Sequence, residues 1–182
     1  GKGVPASLFM AVTKTLIKAT TTRDMAPDEI LGRVNDNLCQ DNDSGMFVTE
    51  FLGILHIPSG QVVYANGGHN LPYIVRQDGS FGMLQKTSGI ALGVMEGFDY
   101  GQNSIKLNNG DTLLLYTDGV TEAMNTKGEL FTESRLEDVF AKFPESTARE
   151  QALKVLEAVK LHASGAQQSD DITILALKYK VG

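Results

Sequence analysis

The sequence is poor in the residues that build disulfides and zinc sites. It has one cysteine, Cys39, and three histidines, at positions 56, 69 and 162 of 182 residues. A single cysteine cannot form an internal disulfide, so a reducing, cytoplasmic setting is expected. The scattered histidines offer no clustered ligand set for zinc. We interpret Cys39 as a small packing residue on a helix.

Long apolar runs and a surplus of basic residues are also absent. No apolar run approaches the ~20 residues that span a bilayer, and no signal peptide is visible. Acidic residues number 22 and basic residues 16, which gives a net charge of −6. This balance argues against a nucleic-acid-binding protein. There is no Gly-Lys-Ser/Thr phosphate loop and no nucleophile elbow, so no side chain is predicted to act as a catalytic nucleophile.

The period of the apolar residues changes from helical to strand-like and back. Two helices are expected first, and the wide apolar stripe of the first, on Leu8, Val12 and Leu16, predicts that other elements largely cover it. A long meander of strands follows, joined by tight turns that imply antiparallel pairing, including a hairpin turn at 108–111. Two more helices and one strand complete an α+β pattern, predicted to form a single domain over residues 1–182. The predicted helices begin at Pro5 and near Pro27 and cover 136–143 and 152–163; the predicted strands are 47–57, 61–65, 72–76, 81–84, 100–107, 112–116 and 172–179.

Asp118 follows the apolar run Thr112 to Tyr116, which is typical of a strand covered on both faces. Gly119 allows the backbone to turn closely beside it, so the carboxylate can project into a cleft. On pattern alone, we interpret Asp118 as a residue that caps the short turn that follows it.

Asp170 and Asp171 begin the last apolar strand. Neighbouring residues of a strand point to opposite faces, so the two carboxylates are not expected to share one role. Taken alone, the pair is best explained as two solvent-exposed side chains at the beginning of a strand. Together with Asp118, however, carboxylates at two strand ends could hold a hard cation such as Mg²⁺ or Mn²⁺, with waters as the remaining ligands.

Seven short stretches, in order along the chain, carry a family resemblance. Each is weak alone, and their order makes the set specific. The chain resembles the SpoIIE/RsbU-type branch of the metal-dependent protein phosphatases, which are related to protein phosphatase type 2C. The stretches are Gly1-Lys2-Gly3-Val4-Pro5-Ala6; Phe47-Val48-Thr49 with Gly53; Tyr64-Ala65-Asn66-Gly67-Gly68-His69-Asn70; Ala91-Leu92-Gly93; Gly110-Asp111 through Thr117-Asp118-Gly119-Val120-Thr121-Glu122-Ala123; Gly128-Glu129-Leu130-Phe131; and Asp170-Asp171-Ile172-Thr173.

The resemblance implies a fold, an activity and a set of residues. The fold is a four-layer αββα sandwich of two antiparallel sheets flanked by helices. The activity is hydrolysis of phosphoserine or phosphothreonine in a protein, by a water that two Mn²⁺ or Mg²⁺ ions activate. Asp118 and Asp170 match metal ligands, Asp171 is expected to be structural, and His69 is expected to shape its loop.

The resemblance also implies partners and a longer domain. The expected substrate is a phosphorylated anti-sigma-factor antagonist, and an upstream sensor or receiver domain and a homodimer are further expectations. The family pattern places a bridging Asp just before Gly1, so the chain is expected to be N-terminally truncated. It would be roughly the later three-quarters of the domain, with unpaired sheet edges.

Two other functions are compatible with the sequence. Without the upstream Asp, the chain could be a non-catalytic module that binds a phosphoprotein or dimerises. A metal-dependent phosphoesterase acting on a small molecule or a nucleic acid is the weaker alternative, because the negative charge and the absence of a basic aromatic stripe oppose nucleic-acid binding.

Overall fold

The computed structural model describes residues 3–40, 42–143, 145–168 and 170–181, so Gly1 and Lys2 of the first motif lie outside the described residues. Within these ranges the chain forms five helices and seven strands. The helices are α1 (Val4–Thr20), α2 (Pro27–Cys39), α3 (Asp118–Thr121), α4 (Thr132–Lys142) and α5 (Ala148–His162). The strands are β1 (Glu50–His56), β2 (Gln61–Gly67), β3 (Tyr73–Val75), β4 (Phe81–Met83), β5 (Gln102–Lys106), β6 (Thr112–Tyr116) and β7 (Ile174–Lys178).

The chain divides into two compact units, each with one sheet. The first unit comprises Gly1–His69 and Gln85–Lys106, and the second comprises Asn70–Leu84 and Leu107–Gly182. The first sheet has the strand order β1-β2-β5, and the second has the order β4-β3-β6-β7. All pairs of neighbouring strands in both sheets are antiparallel. That residues 1–182 form one domain stays a prediction.

Helix α2 supplies much of the core of the first unit. Pro27 starts the helix, where a missing N–H costs nothing, and Asp28 and Glu29 lie in its first turn, near the positive end of the helix dipole. Its apolar residues recur at helical spacing and are buried against the sheet. This core contains Ile30, Leu31, Val34, Leu38, Ala65, Leu92 and Tyr100.

Helix α1 forms as predicted, but the prediction that it is largely covered is wrong. Leu8 and Val12 are 61% and 50% exposed, and Thr13 is its one buried residue. Leu16, from the predicted stripe, and Phe9 and Ile17, from the adjacent face, are partly buried against the core of the first unit. Helical spacing shows which residues share a face, but it does not show whether another element covers that face.

Strand β6 lies inside the second sheet, between β3 and β7. This position explains its nearly continuous apolar sequence, in which every residue except Leu115 is buried. Helices α4 and α5 contribute Leu136, Phe140, Val155 and Val159 to the same core. The prediction of a strand covered on both faces is therefore confirmed.

The turn at 108–111 exists, but the predicted hairpin is wrong. Strand β5 pairs with β2 in the first sheet, whereas β6 pairs with β3 and β7 in the second. The Asp111 carboxylate is 2% exposed and accepts hydrogen bonds from Arg76 Nη1 (2.7 Å), Gln77 N (3.1 Å) and Asn108 N (2.7 Å). These bonds fix the turn to the end of β3.

The final strand begins later than predicted. Strand β7 starts at Ile174, so Asp170 and Asp171 precede it and do not belong to the sheet. The prediction that they begin the strand is wrong, and alternation of side chains across a strand does not determine their directions. Ile172 and Ile174 still pack against the core of the second unit, as their spacing predicts.

The α+β class with two antiparallel sheets and accompanying helices is confirmed. In the described part of the chain, no helix combines the length and apolar character that crossing a membrane requires.

Replacing Asp111 by Ala tests the importance of the turn. The change leaves two backbone N–H groups and the Arg76 guanidinium without their shared acceptor. We expect the free energy of unfolding, measured by urea denaturation, to fall by about 2–3 kcal/mol. The matched control is Asp43→Ala, at an exposed position, with an expected change within about 0.5 kcal/mol. Equal effects of the two substitutions would contradict this role of Asp111.

Candidate metal centre

Asp118 lies immediately after the buried strand β6, in the first turn of the short helix α3. Thr117, in an extended conformation, precedes the helix and occupies its N-cap position. The Asp118 side chain is exposed, whereas Gly119, Val120 and Thr121 behind it are buried. The core of the second unit therefore anchors the backbone and leaves the carboxylate at the surface.

The interpretation of Asp118 as a helix cap is wrong. The N-cap residue is Thr117, and no side chain caps α3. Asp118 Oδ1 accepts a hydrogen bond from the neighbouring Gly119 N at 2.9 Å. This local bond orients the carboxylate.

Thr117 joins the Asp118 segment to the segment that carries Asp170. Its hydroxyl donates to Asp171 O and accepts from Thr173 N, both at 3.0 Å. Its own N–H donates to Thr173 O at 3.1 Å. We call these three hydrogen bonds the Thr117 clasp. It extends the pairing of β6 and β7 to the position next to Asp118.

Gly119 makes the approach of the two segments possible. A Cβ atom built at this position would lie 2.3 Å from Asp171 O and 3.3 Å from Asp170 O. Real Cβ atoms do not approach backbone oxygens this closely, so the requirement for glycine is steric and independent of backbone conformation. The structure thus brings the two predicted segments into direct backbone contact.

Asp170 is exposed, and local hydrogen bonds hold its segment. Asp170 Oδ1 accepts from Asp171 N at 2.8 Å, and Asp170 O accepts from Gln168 Nε2 at 2.8 Å. Asp171 contributes its main-chain carbonyl to the Thr117 clasp. Its position agrees with the expectation of a structural role, which it fulfils through the backbone.

Asp118 and Asp170 have the chemistry of partial ligands for a hard cation such as Mg²⁺ or Mn²⁺. Asp118 and Asp170 offer exposed carboxylate oxygens on two segments that touch. Mg²⁺ typically takes one or two protein carboxylates and keeps several waters. Among the described residues, no group of three or more His, Cys, Asp or Glu side chains is arranged to hold a metal ion. The pair therefore suits one ion completed by water or by further ligands. The assignment of both residues stays a prediction.

His69 hydrogen-bonds within its own loop in the first unit. Its N–H donates to Asn66 Oδ1 at 2.9 Å, and its carbonyl accepts from Asn66 Nδ2 at 2.8 Å. Its ring Nδ1 lies 3.2 Å from Thr49 Oγ1. These contacts agree with the expected loop-shaping role. Cys39 lies at the end of α2, half-buried, and its Sγ is 3.8 Å from Asn35 Oδ1.

Sequence reasoning did not predict the roles of Tyr116 and Thr117, which directly precede Asp118. Tyr116 ends β6 and is 3% exposed. Burial, followed by the nearby carboxylate of Glu133, raises the pKa of Tyr116 to about 12, against the opposing effect of a hydrogen bond with Asn70. A tyrosine hydroxyl is neutral near pH 7 even at its ordinary pKa of about 10, so the shift does not change its charge there. The signal available in the sequence was the polar pair Tyr116-Thr117 at the end of an apolar strand.

Comparison with known proteins places the chain in a family. The chain belongs to the SpoIIE family, because the family model described as Stage II sporulation protein E (SpoIIE) matches residues 1–180. The chain is 30% identical over 182 residues to phosphoserine phosphatase RsbU of Bacillus subtilis (strain 168). That match covers 100% of this chain and 53% of RsbU, so the chain spans about half the length of this relative.

Solved structures show the same fold. The SiaA-PP2C domain of Pseudomonas aeruginosa superposes with a TM-score of 0.85 at 22% identity, over 99% of this chain and 72% of that chain. The manganese-presoaked phosphatase domain of SpoIIE from Bacillus subtilis gives a TM-score of 0.67 at 18% identity. That match covers 93% of this chain and 74% of the SpoIIE chain.

The substitution Gly119→Ala tests the contact between the two segments. Its methyl group would collide with Asp171 O, so the backbones must separate. We expect the free energy of unfolding to fall by about 1–3 kcal/mol.

Gly32→Ala is the matched control. Gly32 lies within α2, and a Cβ there would meet no atom within 4 Å. The same substitution should stabilise the protein by about 0.5–1 kcal/mol, because glycine weakens a helix interior. Urea denaturation of both variants measures the difference, and a Gly119→Ala variant at least as stable as the wild type would contradict the contact.

Proposed function

We propose that this chain supplies the phosphatase portion of a metal-dependent protein serine/threonine phosphatase. One observation carries the proposal: the segments of Asp118 and Asp170 are held in contact at the ends of β6 and β7 by the Thr117 clasp. Membership of the SpoIIE family and the similarity to RsbU, a phosphoserine phosphatase, support the same reaction class.

The proposed reaction is hydrolysis of a phosphoserine or phosphothreonine ester. A water oxygen bonds to phosphorus, the bond between phosphorus and the side-chain oxygen breaks, and that oxygen gains a proton. Inorganic phosphate and the free hydroxyl side chain are the products. A bound Mn²⁺ or Mg²⁺ ion would supply an activated water and neutralise charge on the phosphoryl oxygens.

The roles of the protein residues follow from their positions. Asp118 and Asp170 would hold one ion through carboxylate oxygens. Thr117 is a positioning residue, because it acts on the carboxylates only through the backbone. The second ion of the complete domain would need the bridging Asp that the family pattern places just before Gly1.

The proposed substrate is a phosphorylated anti-sigma-factor antagonist or a similar small phosphoprotein. The naming of RsbU as a phosphoserine phosphatase supports a protein substrate. The chain spans 53% of RsbU, which leaves room in such a protein for an upstream sensor or receiver domain. A homodimer is a further proposal.

Phosphate release from a phosphoserine peptide tests the function, using the full-length protein with and without Mn²⁺. We expect release to require the metal and to be abolished by EDTA. Asp118→Asn and Asp170→Asn should each lower kcat/KM by about 100-fold or more, since a bound ion supplies several kcal/mol of transition-state stabilisation. Asp43→Asn removes the same charge at another exposed position and should leave kcat/KM unchanged.

Two outcomes would contradict the proposal. Near wild-type turnover of Asp118→Asn at saturating Mn²⁺, with the fold intact by circular dichroism, would remove Asp118 from the site. A wild-type protein that binds the phosphopeptide in the presence of Mn²⁺ without releasing phosphate would instead be the non-catalytic binding module.

A further inference from the structure

A cavity of about 370 Å³ lies in the second unit, beside the candidate metal centre. It is enclosed by α3 and the residues after it, by the last turns of α5, and by the loop 163–168. Its apolar walls include Ala123, Met124, Leu156, Val159, Ala163 and Ile172. The volume falls within the range of small-molecule and side-chain pockets, roughly 300–1,000 Å³.

The cavity and the candidate metal centre share backbone. Gly119, which lines the cavity, directly follows Asp118. Gln168 and Ile172, which also line it, lie two residues before and two residues after Asp170. The cavity lining and the two aspartates therefore belong to the same two backbone segments.

The chemistry of the lining favours an apolar occupant over a charged one. Among the described residues that line it, most side chains are apolar and none is a carboxylate. In the described part of the lining, Lys160 is the one charged residue, and it is exposed. The remaining polar residues, Ser164, Gln167 and Gln168, belong to the loop that forms the rim.

We propose that this cavity receives an apolar side chain that flanks the phosphorylated residue of the substrate protein. The proposal rests on the proposed function, and it names a specificity determinant for it. A protein substrate presents side chains on both sides of its phosphoserine, and the cavity is the apolar site whose lining shares backbone with both aspartates. Burying a larger apolar side chain in such a pocket changes kcat/KM by about tenfold or more.

A peptide series tests which side chain the cavity selects. Each phosphoserine peptide carries a single Leu, Ala or Asp at one position, from four residues before to four residues after the phosphoserine. The full-length wild-type protein with Mn²⁺ should prefer Leu over Ala and Asp by about tenfold in kcat/KM at one position of the series. p-Nitrophenyl phosphate, which has no flanking side chain, is the reference substrate.

Filling the cavity should remove this preference. Ala163 is half-buried at the end of α5 and lines the cavity, so Ala163→Leu places a larger side chain there. The ratio of kcat/KM for the Leu peptide to that for p-nitrophenyl phosphate should fall about tenfold. Ala141→Leu makes the same change at an exposed position on α4 and should leave the ratio unaltered.

The outcomes separate this inference from the proposed function. A wild-type protein with no preference for Leu at any position, or an Ala163→Leu variant that keeps the preference while folded, overturns the cavity proposal alone. Failure of the wild type to release phosphate from the peptides and from p-nitrophenyl phosphate alike overturns the proposed function and the cavity proposal together. Loss of the preference in Ala163→Leu but not in Ala141→Leu supports the proposal.

Discussion

The Thr117 clasp is the interaction on which the candidate site depends. Three hydrogen bonds made by one residue join the end of β6 to the segment that leads into β7. Gly119 allows this joint to close, because any side chain there would meet Asp171 O. Both aspartates thus sit on backbone that the sheet and the clasp hold, and neither has to contribute to the core that positions it.

In the second unit, a buried charge, that of Asp111, lies in the turn at 108–111. Asp111 is buried, and it gathers donors from Arg76, Gln77 and Asn108. Such a carboxylate stabilises a turn because losing these hydrogen bonds would leave a buried negative charge without compensation. The buried Tyr116 at the other end of β6 is neutral near pH 7, and burial raises its pKa to about 12. The carboxylates of Asp118 and Asp170, beyond this end of the strand, are exposed instead.

Much of the fold was predictable because local chemistry was unambiguous. The apolar run at 112–116 identified an inner strand, and helical spacing identified α2. Sheet order was not predictable: the turn at 108–111 is typical of a hairpin, yet hydrogen bonds from residues distant in the sequence attach it to β3. The exposure of Leu8 and Val12 was missed for the same reason, since spacing carries no information about what covers a face. The order of the family motifs along the chain identified Asp118 and Asp170 as candidate ligands. The Thr117 clasp was not predictable, because its partners, Asp171 and Thr173, lie 54 and 56 residues away in the sequence.

The separation between anchoring backbone and exposed carboxylates has an evolutionary consequence. The groups that hold the two segments together and the carboxylates proposed to bind the metal are different atoms. Hydroxyl, amide and carbonyl groups make the hydrogen bonds of the clasp, and the side chains of Asp118 and Asp170 take no part in them. A single nucleotide change can convert either aspartate codon to asparagine without removing a bond of the clasp. If Asp118 and Asp170 hold the metal ion as proposed, a descendant of such a domain would lose turnover in one step and persist as a folded scaffold, available for recruitment as a binding protein.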